Sequence, residues 1–145
     1  MPRVAELLER KGPHVWTIGP AVTVLRAALL MNEHRIGSLV VVDGSRVVGI
    51  LTERDVLQRV VAGRRDPETT RVADVMTAEV VCCSPETSVD EVRGAMRDRR
   101  IRHLPVVGEG GQLLGLISIG DINAQLQAAQ EQTLFLMTEY IQGRA

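Results

Sequence analysis

Thr52 and Asp55, and again Ser118 and Asp121, set a hydroxyl three residues ahead of a carboxylate, each time directly after an apolar run. At a helix start this spacing closes a capping box: the hydroxyl takes one backbone N–H and the acid reaches back to another. The same spacing also suits a ligand. A helix N-terminus presents N–H groups to an anion, and an ionised Asp, an acceptor only, can take both hydroxyls of a ribose. That carboxylate would repel a phosphate laid against it, so it is expected to read the sugar. Capping and ligand contact are compatible, and both readings stand for Asp55 and Asp121.

Other chemistry finds little material. The chain has no Gly-x-Ser-x-Gly, no phosphate-binding P-loop, no His-Glu-x-x-His and no Gly-x-Gly-x-x-Gly after a strand. His14, His34 and His103 are dispersed, so catalysis is not expected. Cys82 and Cys83 are adjacent, which disfavours a structural disulfide and falls short of the ligand set of a zinc site. Two small residues in a buried strand is the simpler reading; a redox-linked regulator acting through this pair is the alternative. Unpaired cysteines suit a reducing compartment, and the cytoplasm is expected. No signal peptide or membrane span is visible.

The 145 residues are 45% hydrophobic and 24% charged, with a net charge of -1. That composition supports a folded core and lacks the basic footprint of a nucleic-acid binder. The only aromatic side chains are Trp16, Phe135 and Tyr140, too few for a stacking platform. Lys11 is the one lysine among the seventeen basic side chains, a bias read as compositional and without functional weight.

The elements that must position the two motifs come in two copies. Residues 15–42 overlay residues 80–107 at an offset of 65, with identities that include Pro20/Pro85, Met31/Met96, Arg35/Arg100 and Leu39/Leu104. After a one-residue insertion, VVGILTERDV falls on LLGLISIGDI. Each copy reads as strand, helix, strand, strand, helix. The opening strands are Val15 to Ile18 and Val80 to Cys83. The helices carry Val24, Ala27, Ala28 and Met31 in one copy and Val89, Val92 and Met96 in the other, at helical spacing. Strand pairs follow at Ser38 to Val42 with Arg46 to Leu51, and at Leu104 to Val107 with Gln112 to Ile117, joined at Asp43-Gly44 and Gly108 to Gly111. A unit of this size buries too little alone, so the two are expected to pack sheet to sheet about a pseudo-twofold axis. The expected division is an N-terminal helix (1–13), repeat 1 (14–63), a polar linker (64–76), repeat 2 (77–126) and a C-terminal helix (127–145). On that last helix Leu134, Met137, Tyr140 and Ile141 recur at helical spacing and Gly143 acts as a stop.

These residues resemble the CBS domain, and two in tandem resemble a Bateman module. The marks are VADVMT in the linker, SPETSVDEV, RIRHLPVV, and the endings GILTERD and GLISIGD. The flanking helices are similar to those of the small stand-alone two-CBS proteins, some of which are adenylate-sensing regulators. The resemblance implies an α/β (α+β) module that binds an adenosine-containing ligand (AMP, ADP, ATP, NAD or S-adenosylmethionine) between the repeats and passes occupancy to a regulated protein partner. It further implies flat homodimers, and that Arg102 and His103 stand where related modules meet phosphates. One cleft would combine Leu51, Thr52, Arg54 and Asp55 with Val81, Arg102 and His103. The other would combine Ser118, Ile119 and Asp121 with Trp16, Gly37 and Ser38, Trp16 lying against a base or in the core. Because Gly37 and Ser38 bring no charge, the two clefts are expected to be unequal. A structural homodimer or scaffold without a ligand is the reading from another class.

Overall fold

The computed structural model describes residues 2–141, and side chains up to residue 138. Tyr140 and Ile141 as packing side chains, and Gly143 as a helix stop, lie outside what is described.

Two helices are built alike because the two copies supply the same signals. α2 (Val24–His34) is capped by Thr23, whose side chain accepts the Arg26 N–H, and buries Val24, Ala27 and Met31. α5 (Val89–Arg99) is capped by Ser88, which accepts the Glu91 N–H, and buries Val89, Val92 and Met96. Both end on an arginine in the left-handed region, Arg35 at φ 52° and Arg100 at φ 55°. Two apolar positions per pair of turns thus select one face of each helix, and the cap fixes where it starts.

The strands pair within each repeat. β1 (Thr17–Ile18) lies parallel to β2 (Ser38–Asp43), which pairs antiparallel with β3 (Arg46–Thr52). In repeat 2, β4 (His103–Val107) pairs antiparallel with β5 (Leu113–Ser118). The opening strands are shorter than their apolar runs suggest. Val15 to Ile18 contracts to two residues, and Val80 to Cys83 to a single bridge, in which the Cys83 N–H donates to the Pro105 carbonyl at 3.0 Å and the Val107 N–H donates to the Cys83 carbonyl at 2.8 Å. Each turn uses glycine where φ is positive: Gly44 at 66° in repeat 1, Gly110 and Gly111 at 76° and 80° in repeat 2.

The core consists of two clusters, and each takes in a helix from outside its own repeat. Leu39, Val41, Leu51, Val60 and the α2 face enclose Val72 and Val75 of α4 (Val72–Val75), so the linker helix completes repeat 1. Leu104, Val106, Ile117, Ile122 and the α5 face enclose Val4 and Leu7 of α1 (Val4–Lys11), so the N-terminal helix completes repeat 2. Glycine permits both approaches. A Cβ on Gly49 would lie 2.5 Å from Met76 Sδ, and one on Gly115 would lie 2.5 Å from Leu8 Cδ2. Truncating a fully buried leucine such as Leu39 or Leu104 to Ala should cost about 2–5 kcal/mol.

The closing helices differ. α3 (Glu53–Asp55) continues as a wider π-type turn over Val56–Val61, whereas α6 runs unbroken over Ile119–Ile141. The C-terminal helix is therefore the extension of repeat 2's own closing helix. Leu134, Phe135, Leu136 and Met137 lie on it in succession, all more than half exposed.

Candidate functional site

The pairing of β2 with β3 sets Ser38 opposite Thr52, and the Glu53 N–H donates to the Gly37 carbonyl at 3.0 Å. In repeat 2, His103 sits opposite Ser118 and the Ile119 N–H donates to the Arg102 carbonyl at 2.9 Å. The segment before each central strand is thereby tied to the start of its own closing helix. Where the two repeats face each other, this leaves a cleft of about 450 Å³. That volume lies within the ~300–1,000 Å³ typical of small-molecule sites.

Repeat 1 lines this cleft with Gly37, Thr52, Glu53, Arg54 and Asp55. Repeat 2 contributes Arg100, Ile101, Arg102 and His103, and Thr77 enters from the connection between them. Five residues expected in one cleft (Thr52, Arg54, Asp55, Arg102 and His103) therefore do meet. Leu51 does not join them: it is fully buried in the repeat 1 core. Val81 packs against the repeat 2 core. Gly37, expected in the other cleft, lines this one because its carbonyl holds the Glu53 amide.

Asp55 is 7% exposed. Its Oδ2 accepts the Thr52 N–H at 3.0 Å and the Thr52 hydroxyl at 3.1 Å, while the Asp55 N–H donates to Thr52 Oγ1 at 3.2 Å. The capping box is thus closed. Oδ1 accepts from the Thr77 hydroxyl at 3.2 Å and faces Arg59 Nε at 4.0 Å. The Glu53 and Asp55 N–H groups are both engaged within the fold, which removes them as anion donors. Positive charge in this cleft comes from side chains: Arg54, Arg100 and Arg102.

His103 is held below its ordinary value, first by burial and then by the charge of Lys11; Asp121 opposes this, Arg102 adds to it and Glu53 opposes it. A neutral imidazole beside the arginines keeps one acceptor and one donor nitrogen.

The residues expected in the second cleft are not arranged in the same way. Asp121 Oδ2 accepts the Ser118 N–H at 2.8 Å, and the Asp121 N–H donates to Ser118 Oγ at 3.1 Å, a second closed box. Lys11 Nζ donates to the same Oδ2 at 2.7 Å and to the Leu116 carbonyl at 2.7 Å. Burial pushes the Asp121 carboxyl up, but hydrogen bonds from Lys11 and Ser118 together with the lysine's charge hold it below its ordinary value. Lys11 accordingly has a defined place, contrary to the compositional reading. Ser38 is buried. Ile119 packs against the repeat 2 core. Trp16 is stacked on His34, centroids 3.5 Å apart, with His14 edge-on at 4.6 Å, so its ring is engaged by two imidazoles of its own repeat.

Thr77, Arg100 and Lys11 were missed in the sequence. A signal existed: Arg3-Val4-Ala5 repeats as Arg71-Val72-Ala73 at an offset of 68, which marks the two flanking helices as equivalent and makes the residues that follow them candidates for equivalent sites.

The cysteines are free, Cys82 exposed and Cys83 buried, so only one belongs to the core. Burial raises both thiols; for Cys83, burial and then Cys82 push it up to about 11. Thiolate chemistry at neutral pH is thereby suppressed. Among the described residues no cluster of His, Cys, Asp and Glu suits a metal ion, and no helix is long and apolar enough to cross a membrane.

A groove of about 510 Å³ on the helical side of repeat 1, between α2 and the turn after α3, is lined largely by apolar residues such as Met31, Val56, Leu57 and Val61. It lacks the basic cluster of the Asp55 cleft.

Comparison with known proteins gives this arrangement a lineage. The CBS domain model matches twice, over residues 4–62 and 72–127, each match beginning at the valine of the repeated Arg-Val-Ala. The mitochondrial CBS domain-containing protein CBSX3 of Arabidopsis thaliana is 37% identical over 126 residues, 83% of this chain and 61% of that protein. The chain thus spans about three fifths of the length of that relative. Among solved structures, a protein with CBS domains from Burkholderia ambifaria MC40-6 superposes with a TM-score of 0.83 at 43% identity, covering 88% of this chain and 96% of that one. The CBS domain protein PAE2072 of Pyrobaculum aerophilum, solved in complex with AMP, superposes at 0.74 with 29% identity, covering 82% and 88%. The chain belongs to the CBS-domain family, with two copies of the domain in tandem.

Proposed function

We propose that this chain is a regulatory module that binds an adenosine-containing nucleotide in the Asp55 cleft and passes occupancy to a protein partner. The observation that carries the reading is the meeting, in one cleft, of a nearly buried carboxylate from repeat 1 with Arg100 and Arg102 from repeat 2 and Arg54 beside them. Asp55 reads the ribose through Oδ1, which serves the Thr77 hydroxyl alone and keeps a second acceptor site. The arginines take phosphate, for which the planar guanidinium is matched in shape and charge. Three guanidinium groups favour phosphorylated ligands (AMP, ADP, ATP or NAD) over S-adenosylmethionine, which carries a sulfonium cation. The AMP complex of the Pyrobaculum relative supports the ligand class.

Because the cleft is walled by both repeats, a ligand that bridges them changes their mutual packing, and that change is what a partner would read. The module itself performs no catalysis in this reading. We also propose that it pairs with a second copy through the exposed apolar residues of α6, and that it works in a reducing compartment such as the cytoplasm, which suits two free thiols. Calorimetric titration with AMP, ADP, ATP, NAD, adenosine and S-adenosylmethionine tests the ligand assignment. Binding of the phosphorylated ligands above adenosine is expected, and absence of binding by all six overturns it.

A further inference from the structure

The two aspartates occupy equivalent positions, yet their third partners differ in kind. Thr77 offers Asp55 a neutral hydroxyl at 3.2 Å, which can rotate away and free Oδ1 for a ligand, while Arg59, held by the Val75 and Met76 carbonyls, stays 4.0 Å from that oxygen. Lys11 offers Asp121 an ammonium at 2.7 Å, which cancels that charge. The ammonium cannot rotate aside without losing a charge-assisted bond to a half-buried carboxylate as well as its bond to the Leu116 carbonyl.

The lysine's position is fixed by packing. Val4 and Leu7 are buried in the repeat 2 core, and Leu8 lies over Gly115. The Val4 and Ala5 N–H groups donate to the carbonyls of Thr87 and Pro85, both at 2.9 Å. Lys11 closes the last turn of α1, where a cation also suits the helix dipole. The flanking helices match at an offset of 68 and the strands that follow at 65, so the first copy carries three extra residues here. Those residues extend α1 far enough for Lys11 to reach Asp121.

We infer that Lys11 is a specificity determinant: it closes the Asp121 half-site to nucleosides and limits the module to one nucleotide per chain, in the Asp55 cleft. This inference rests on the nucleotide reading above. The full-length chain, Lys11→Thr, Lys11→Arg and the double variant Lys11→Thr/Asp121→Asn are titrated with AMP and with adenosine. The parent and Lys11→Arg are expected to bind one ligand per chain. Lys11→Thr is expected to bind a second, lost again in the double variant. One ligand on Lys11→Thr, or two on the parent, overturns the inference and leaves the nucleotide reading intact; no binding to any chain overturns both. A ligand-free measurement checks the pair itself. Lys11 is the only lysine, so reductive ¹³C-methylation adds one side-chain NMR signal besides that of the α-amino group. That signal should move in Asp121→Asn, and a signal that stays put shows that no pair forms in solution and overturns the inference.

Discussion

Lys11 Nζ lies 2.7 Å from Asp121 Oδ2, where the equivalent aspartate of repeat 1, Asp55, instead meets the hydroxyl of Thr77. An ammonium on one aspartate and a hydroxyl on the other thus add to the differences between the two half-sites. The ammonium also puts a charge next to repeat 2's contribution to the other cleft, since Lys11 and Asp121 both act on His103.

Asp55→Asn keeps the size of the side chain and its ability to cap, but removes the charge that three donors now share. Loss of charge-assisted bonds to a ribose should lower nucleotide affinity about 10- to 100-fold. Because the carboxylate is nearly buried and closes the capping box, stability should fall too, by about 1 kcal/mol. Calorimetry and urea denaturation on the same preparation check the two effects, and unchanged affinity would return Asp55 to capping alone.

Arg102→Ala separates phosphate from nucleoside recognition. Arg102 is exposed and lines the cleft, so its loss should weaken AMP by an order of magnitude or more (~1.5–3 kcal/mol for a hydrogen bond to a charged group) while adenosine changes little. Equal weakening of both ligands would mean that Arg102 supports the wall of the cleft and does not touch phosphate.

Acidification should destabilise the chain in two steps. His103 is held below its ordinary value of 6.5, so the unfolded chain takes up a proton first and stability falls as pH drops from about 6.5 through the lowered value. Asp121 is held below 3.8, and the stability it contributes is present above that value and lost as pH falls through the lowered one. His103→Gln should flatten the first step and Lys11→Met the second. Urea midpoints measured from pH 8 to pH 3 would show both, and a first step that persists in His103→Gln assigns it elsewhere.

What could be read from the sequence was what depends on near neighbours. The stripes of α2 and α5 and the Gly44 and Gly110 turns are local, and each falls where the spacing set it. The opening strands shrank because their length depends on a distant partner: Cys83 finds one bridge to Val106 and no more. The Thr52–Asp55 and Ser118–Asp121 boxes were legible as boxes, but their third partners were not, since Thr77 and Lys11 reach them across the chain. Swapping of α1 onto repeat 2 and of α4 onto repeat 1 is a packing outcome that helix periodicity cannot express.

Gly49→Ala tests that swap directly. The new Cβ would meet Met76 Sδ at 2.5 Å and the Thr77 carbonyl oxygen at 3.1 Å, so it presses on the same connection that delivers Thr77 to Asp55. Overpacking of this kind costs about 1–3 kcal/mol. Denaturation should show that loss, and nucleotide affinity should fall with it. Stability lost with affinity intact would uncouple the α4 connection from the cleft.

The end of α6 should carry self-association. Leu134, Phe135, Leu136 and Met137 are 56–64% exposed and occupy four successive positions, which points them to different sides of the helix. A single chain seldom leaves such a patch in water, and a closed twofold pair would cover it without opening a route to fibres. Light scattering should therefore report a particle near twice 15.9 kDa. Removal of residues 131–145 should shift it towards the monomer or reduce solubility. It should leave both core clusters folded, because the core residues of α6 end at Leu126. A parent protein that stays monomeric at high concentration would show that the helix end needs a partner other than a second copy.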